Sequence, residues 1–288
     1  MAIRKRGRRA AERCLPQLLF SLLGWVLLGL IRRAAAPSPG LWFLLEGLGT
    51  AAFVALPAWA GLSLPGSGGM AALPLCRASA GQLFAAVICG ALFAAPASLL
   101  REMAAVYTGS GGAVPQPVDG SFVFLLTGCV LAVPLCHAVF YRGYLERSLR
   151  GLPRGGRLIP ALLFALSGAC PADFLSRLCL GLVLSEITVR HGTLLSSAAA
   201  HASFLCAWLF TGMLGLQGFF TGTGFFAVSL RVLLALAWYY SFKKVCGQKA
   251  SGETIDAAGL LRLTKRDRLI LAAAALLTLA SGVWGVLQ

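Results

Sequence analysis

His137, Arg142, Glu186 and His201 are the residues whose types and spacing could do chemistry, because each sets a polar or charged group in or beside an apolar run. An imidazole titrates near neutral pH, so His137 or His201 could act as a general base toward water. Glu186 offers a carboxylate at similar depth, but Arg190 follows at i+4 and can pair with it. Two histidines on different helices fall short of the three protein ligands usual for catalytic zinc. Cys136 adjoins His137 but points about 100° away around a helix, so neither a metal nor a cofactor is expected. Taken singly, each histidine has a plainer reading as a neutral imidazole hydrogen-bonded to a neighbouring helix. Polar groups at membrane depth are costly, and they usually face the bundle interior and mark a site. Glu46 and Arg231 are of the same kind and are candidates for an interhelical pair.

The elements that must position these residues are membrane helices. Of the 288 residues, 58% are hydrophobic and only 12% charged, and the mean hydropathy is +0.81. A soluble domain carries roughly 25% charged residues, so lipid must be the solvent here. Apolar runs occur at 15–31, 41–64, 80–100, 121–141, 158–170, 174–190, 192–210, 222–242 and 269–287. Most approach the ~20 residues of a spanning helix, while 158–170 is short. The expected fold is an all-α, polytopic integral membrane bundle of about nine transmembrane helices. Its parts are a basic N-terminus at 1–14, helices at 15–120, a core at 121–211, and helices at 212–288 with a basic loop at 243–268. Pro- and Gly-rich breaks such as LPGSGG and GLPRGG read as turns.

The net charge of +15 fits lysines and arginines gathered in cytoplasmic loops against anionic lipid, and no nucleic-acid partner is expected. With the N-terminus inside, most of the 25 basic residues fall on the cytoplasmic side, among them Arg142, Arg157, Arg190, Lys243 and Lys244. Arg101 and Arg177 fall outside. The expected location is the cell membrane. Alanines 34–36 resemble a signal cleavage site, but Arg32 and Arg33 intervene, so a retained anchor is expected. The nine cysteines form no CxxC pattern and read as helix-packing thiols.

Three stretches, HAVFYRGYL (137–145), LLFALSG (162–168) and VRHGTLLSSAAAHASFL (189–205), resemble the CAAX protease and bacteriocin-processing intramembrane endopeptidases. That family includes CAAX prenyl endopeptidases and bacterial self-immunity proteins. Its motifs are Glu-Glu-x-x-x-Arg, Phe-x-x-x-His and His-x-x-x-Asn on separate helices, and the resemblance covers about 121–211. Arg142, Phe164 and His201 match. His137 and Ala138 stand at the two glutamates, Gly168 at the second-motif histidine and Leu205 at the asparagine.

In the family, a glutamate is thought to activate water, and histidine and asparagine to orient it and stabilise the oxyanion, or to bind a metal. Ala138, Gly168 and Leu205 supply neither lone pair nor donor, and loss of one oxyanion donor alone costs about 10²–10³ in rate. The resemblance therefore implies a catalytically impaired protein that binds a membrane peptide, a prenylated peptide or a partner membrane protein. One alternative is an active, divergent endopeptidase using His137 and His201, with Glu186 as a substitute acid. Another is a membrane transport subunit, which predicts repeat symmetry; none is visible in the sequence.

Overall fold

The computed structural model describes residues 2–35, 38–64, 73–75, 77–108, 121–149, 155–167, 171–213 and 225–247. Among them all regular structure is helical. Helix α1 is Ala2–Ala35. Helix α2, 39–63, starts at an N-cap, where the Ser38 hydroxyl accepts from the Leu41 N–H and Pro39 opens the first turn. Helix α3 comprises Ala80–Leu92 and Ala94–Thr108, on either side of Phe93. It begins with a capping box in which the Ser79 and Gln82 side chains each accept from the other's backbone N–H. Its bend falls just before Pro96, whose ring cannot accommodate the carbonyl four residues back. Helix α4 is 121–148, α5 Gly155–Leu166, α6 Phe174–His191, α7 Leu194–Met213 and α8 Phe225–Gly247.

Two helices widen to i→i+5 turns ahead of a proline. Ala51–Ala55 precedes Pro57, and Leu125–Ala132 precedes Pro134. A proline removes the N–H that an ordinary turn would use, so the backbone re-pairs one residue further on. A second wide stretch in α4, Ala138–Leu145, contains no proline.

Helix α4 is the centre of the bundle. It packs against α1 and α2 on one flank and against α5, α6 and α7 on the other, while α7 and α6 join it to α3 and α8. One continuous core runs through Leu22, Val54, Phe93, Phe140, Leu145 and Ile187. The close α3–α7 crossing depends on Gly90, because a Cβ there would collide with the Ala200 carbonyl oxygen.

Five of the helices are long and apolar enough to cross a membrane: Gly40–Ser63, Ala80–Ala104, Phe122–Ser148, Leu194–Thr211 and Phe225–Cys246. Pro16–Ile31 and Gly156–Leu166 are shorter apolar helices. Helix α6 is not among the five, since its 18 residues include Arg177, Glu186 and Arg190. Eight of the nine expected runs thus fall on helices, whereas 269–287 and most of the basic loop at 243–268 lie outside the described residues. On α8, Phe225 and Phe226 at one end and Tyr239 and Tyr240 at the other point outward, as in a helix anchored at two polar–apolar boundaries.

One expected pairing is corrected. Arg231, 2% exposed, bonds to Glu102 on α3 and not to Glu46. Helix α3 continues past the apolar run that ends at residue 100, and this carries Glu102 to the face against which α8 packs.

Candidate functional site

The site is assembled where α4, α5 and α7 meet. His137 ends the narrow Val133–His137 turn of α4, directly before the wide stretch Ala138–Leu145. Widening the helix there lets the Glu146 N–H reach the Tyr141 carbonyl. The widening also turns more of the helix inward, so every residue from Phe140 to Glu146 is buried. Such wide turns concentrate at functional sites. The His137 and His201 rings stack with centroids 5.6 Å apart and planes within 15°. Phe164 from α5 sets its edge against both, 5.4 Å from His137 and 5.5 Å from His201. Tyr141 lies 5.5 Å from His137 and 5.5 Å from Phe164, and Trp25 of α1 closes the group 6.2 Å from His137. Both imidazoles are 5% exposed.

Two guanidiniums flank Phe164. Arg142 is 5.7 Å and Arg177 of α6 5.9 Å from the ring centroid, within cation–π range. Arg142 is 4% exposed. Its Nη1 lies 3.8 Å from the Glu146 carboxylate, an ionic contact too long for a hydrogen bond. Glu146 accepts a 2.8 Å hydrogen bond from the Ser185 hydroxyl of α6. Room for the guanidinium comes from Gly181, where an added Cβ would stand 3.2 Å from Arg142 Nη2 and 3.1 Å from Ala161.

His137, Arg142, Phe164 and His201 therefore converge, while Glu186 stands apart. Its two carboxylate oxygens accept from Arg157, at 2.6 Å, and from Arg190, at 2.7 Å. Ala138 is buried on α4, and Leu205 lies one turn beyond His201 on α7. Gly168 lies outside the described residues. Sequence reading missed Glu146, which sits in a stretch resembling a basic helix boundary, and Arg177, which it assigned to the outer boundary. The signal available for Glu146 was its i+4 spacing from Arg142.

The residues present do not fit a divalent ion. The cluster offers two imidazoles, and two guanidiniums lie against the Phe164 ring that touches both. Among the described residues no group of three His, Cys, Asp or Glu side chains gathers.

Residues 119–207 match the family described as Type II CAAX prenyl endopeptidase Rce1-like. That segment is similar to the Rce1-like family. The match takes in α4, α5, α6 and most of α7, and so includes both imidazoles, both guanidiniums, Tyr141 and Phe164, but not Trp25 of α1. The matched segment lies among apolar helices long enough to cross a membrane, so over that segment the chain is similar to a family of membrane proteins. No curated protein and no solved structure matches the chain.

Phe164 touches both imidazoles and both guanidiniums, so its removal should be felt throughout the cluster. Phe164→Ala should destabilise the purified protein by about 3 kcal/mol and Phe164→Leu by less. Thermal unfolding in detergent measures this. Equal melting temperatures for Phe164→Ala and the parent would contradict the packing described.

Proposed function

We propose that the protein is a catalytically impaired member of the CAAX-protease type, a membrane protein that binds a membrane peptide or partner protein without cutting it. The observation carrying this reading is that, among the described residues, no unengaged carboxylate stands at the cluster. Ala138 occupies a motif glutamate position, Glu186 is held by two arginines, and Glu146 is engaged by Ser185 and Arg142. Hydrolysis needs a base within hydrogen-bond reach of the attacking water. His137 stands where the family keeps a glutamate, with its ring plane near parallel to that of His201. Groups that act as a unit in catalysis are lost together, so losing the base alone removes most of the rate.

The test is peptidase assay of the purified protein in lipid with prenylated and unmodified membrane peptides. The expected result is no turnover above a background that is identical in His137→Ala and His201→Ala. Cleavage abolished in both variants would overturn the proposal and make His137 a replacement base. Regained cleavage in a variant carrying His137→Glu, Ala138→Glu, Gly168→His and Leu205→Asn would show that the cavity kept the family's shape.

The same reading places the N-terminus and Lys243–Lys244 on the cytoplasmic side of the cell membrane, since basic residues concentrate there. A cysteine introduced at Lys243 should resist membrane-impermeant thiol reagent added to intact cells. Labelling there as fast as at an established external site would reverse the orientation.

A further inference from the structure

The seam between α4 and α7 leads to the imidazole pair from the end of the bundle where α4 finishes and α7 begins. The two helices run antiparallel, so that His137 meets His201 and Gly143 lies beside Leu194. Seven residues of α7 separate these two levels, about 10 Å at 1.5 Å per residue. Residues 73–75, between α2 and α3 in the chain, enter the seam at the Gly143 level. The Pro74 carbonyl accepts from the Leu194 N–H at 2.9 Å, and the Leu75 N–H bonds back to the Leu73 carbonyl at 2.8 Å. This tight turn leaves Leu73 pointing inward, 5% exposed, in the core with Tyr144, Leu145 and Leu194. Gly143 supplies the space. A Cβ added there would stand 2.7 Å from Leu73 Cδ2 and 3.0 Å from Leu194 Cδ1. Leu75 and Arg77 are exposed, so the segment reaches from the surface into the bundle through one side chain.

We infer that Leu73 is a plug: seated against Gly143 and Leu194 it closes the α4–α7 seam to water, and unseating it admits water to His137 and His201. Two opposed tendencies make the arrangement switchable. Burial of the leucine side chain favours the closed state. Behind it, both ring nitrogens of His137, His201 Nδ1 and both terminal nitrogens of Arg142 are buried with no hydrogen-bond partner among the described residues. Buried polar groups that protein does not satisfy are ordinarily satisfied by ordered water, so hydration of these atoms favours the open state. The hold on the plug is small. Among the described residues, 73–75 are fixed to α7 by one backbone hydrogen bond and by the Leu73 side chain, so their departure breaks no helix. The device is independent of whether the cluster binds a peptide or cuts one.

The test is hydrogen–deuterium exchange at the imidazole C2 position, read by mass spectrometry after proteolysis of the full chain exchanged in lipid nanodiscs. This exchange requires water at the ring, and with three histidines in the chain each site can be followed separately. In the parent, His137 and His201 should exchange slowly. Leu73→Ala, which leaves a gap, and Gly143→Ala, whose methyl displaces the leucine, should each speed exchange at both rings several-fold. The double variant should return toward the parent, because the methyl at 143 takes up space that Leu73 vacated. Thermal unfolding identifies the folded variants, and the milder Leu73→Val replaces either single variant that does not fold. Parent exchange as fast as in denatured protein overturns the inference, and so does parent-like exchange in a folded single variant. A double variant as fast as the faster single assigns the effect to general loosening and overturns it as well.

Discussion

A guanidinium held inside a membrane bundle is the constraint around which the centre of this protein is organised. Arg142 is almost wholly withdrawn from the surface, and an isolated charge in an apolar medium is costly unless protein groups replace water. Here the replacement is divided among three helices. Phe164 offers its ring from α5, Glu146 a carboxylate from the next turn of α4, and α6 contributes both Ser185 and the cleared space at Gly181. None of these works without the others. The carboxylate stands too far from the guanidinium to hydrogen-bond, and the Ser185 hydroxyl gives it a direct hydrogen bond. The wide turns of α4 make the arrangement possible by turning Tyr141, Arg142, Leu145 and Glu146 inward together.

That constraint explains why Arg142 and Phe164 tolerate replacement less well than the neighbouring motif positions. Arg142 and Phe164 bear on helix packing, and replacing either disturbs α4, α5 and α6 at once. The positions of Ala138 and Leu205 carry no such burden. A small or apolar residue fits there without leaving a charge unpaired. His137 and His201 are intermediate. Their rings pack as aromatics against Phe164 and each other, which gives them a structural role whether or not they touch a ligand.

Much of this was legible in the sequence, and what was not has physical reasons. Composition and run length were enough for a helical membrane bundle, because lipid leaves few other backbone solutions. His137, Arg142, Phe164 and His201 could be singled out in the sequence through the resemblance of the three motif stretches, whereas their contacts depend on which helices pack together. Glu186 was readable as an i+4 partner of Arg190, but its second partner, Arg157, comes from the start of α5, in a stretch that reads as loop. The Arg231 partner was misread because pairing across 129 residues depends on which helix faces are apposed, and no local pattern encodes that. Glu146 was hidden by a departure from ordinary helical pitch, since a regular 3.6-residue periodicity does not bury seven successive positions.

The central claim is that His137 and His201 lie ring to ring in a protein-lined interior. The chain has three histidines, so solid-state NMR of histidine-labelled protein in bilayers can examine the pair without ambiguity. The account predicts a through-space cross-peak between the imidazole carbons of two histidines, lost in His137→Gln and in His201→Gln, with both rings protected from water. Absence of that cross-peak in a folded sample, or rapid water exchange at both rings, would contradict it.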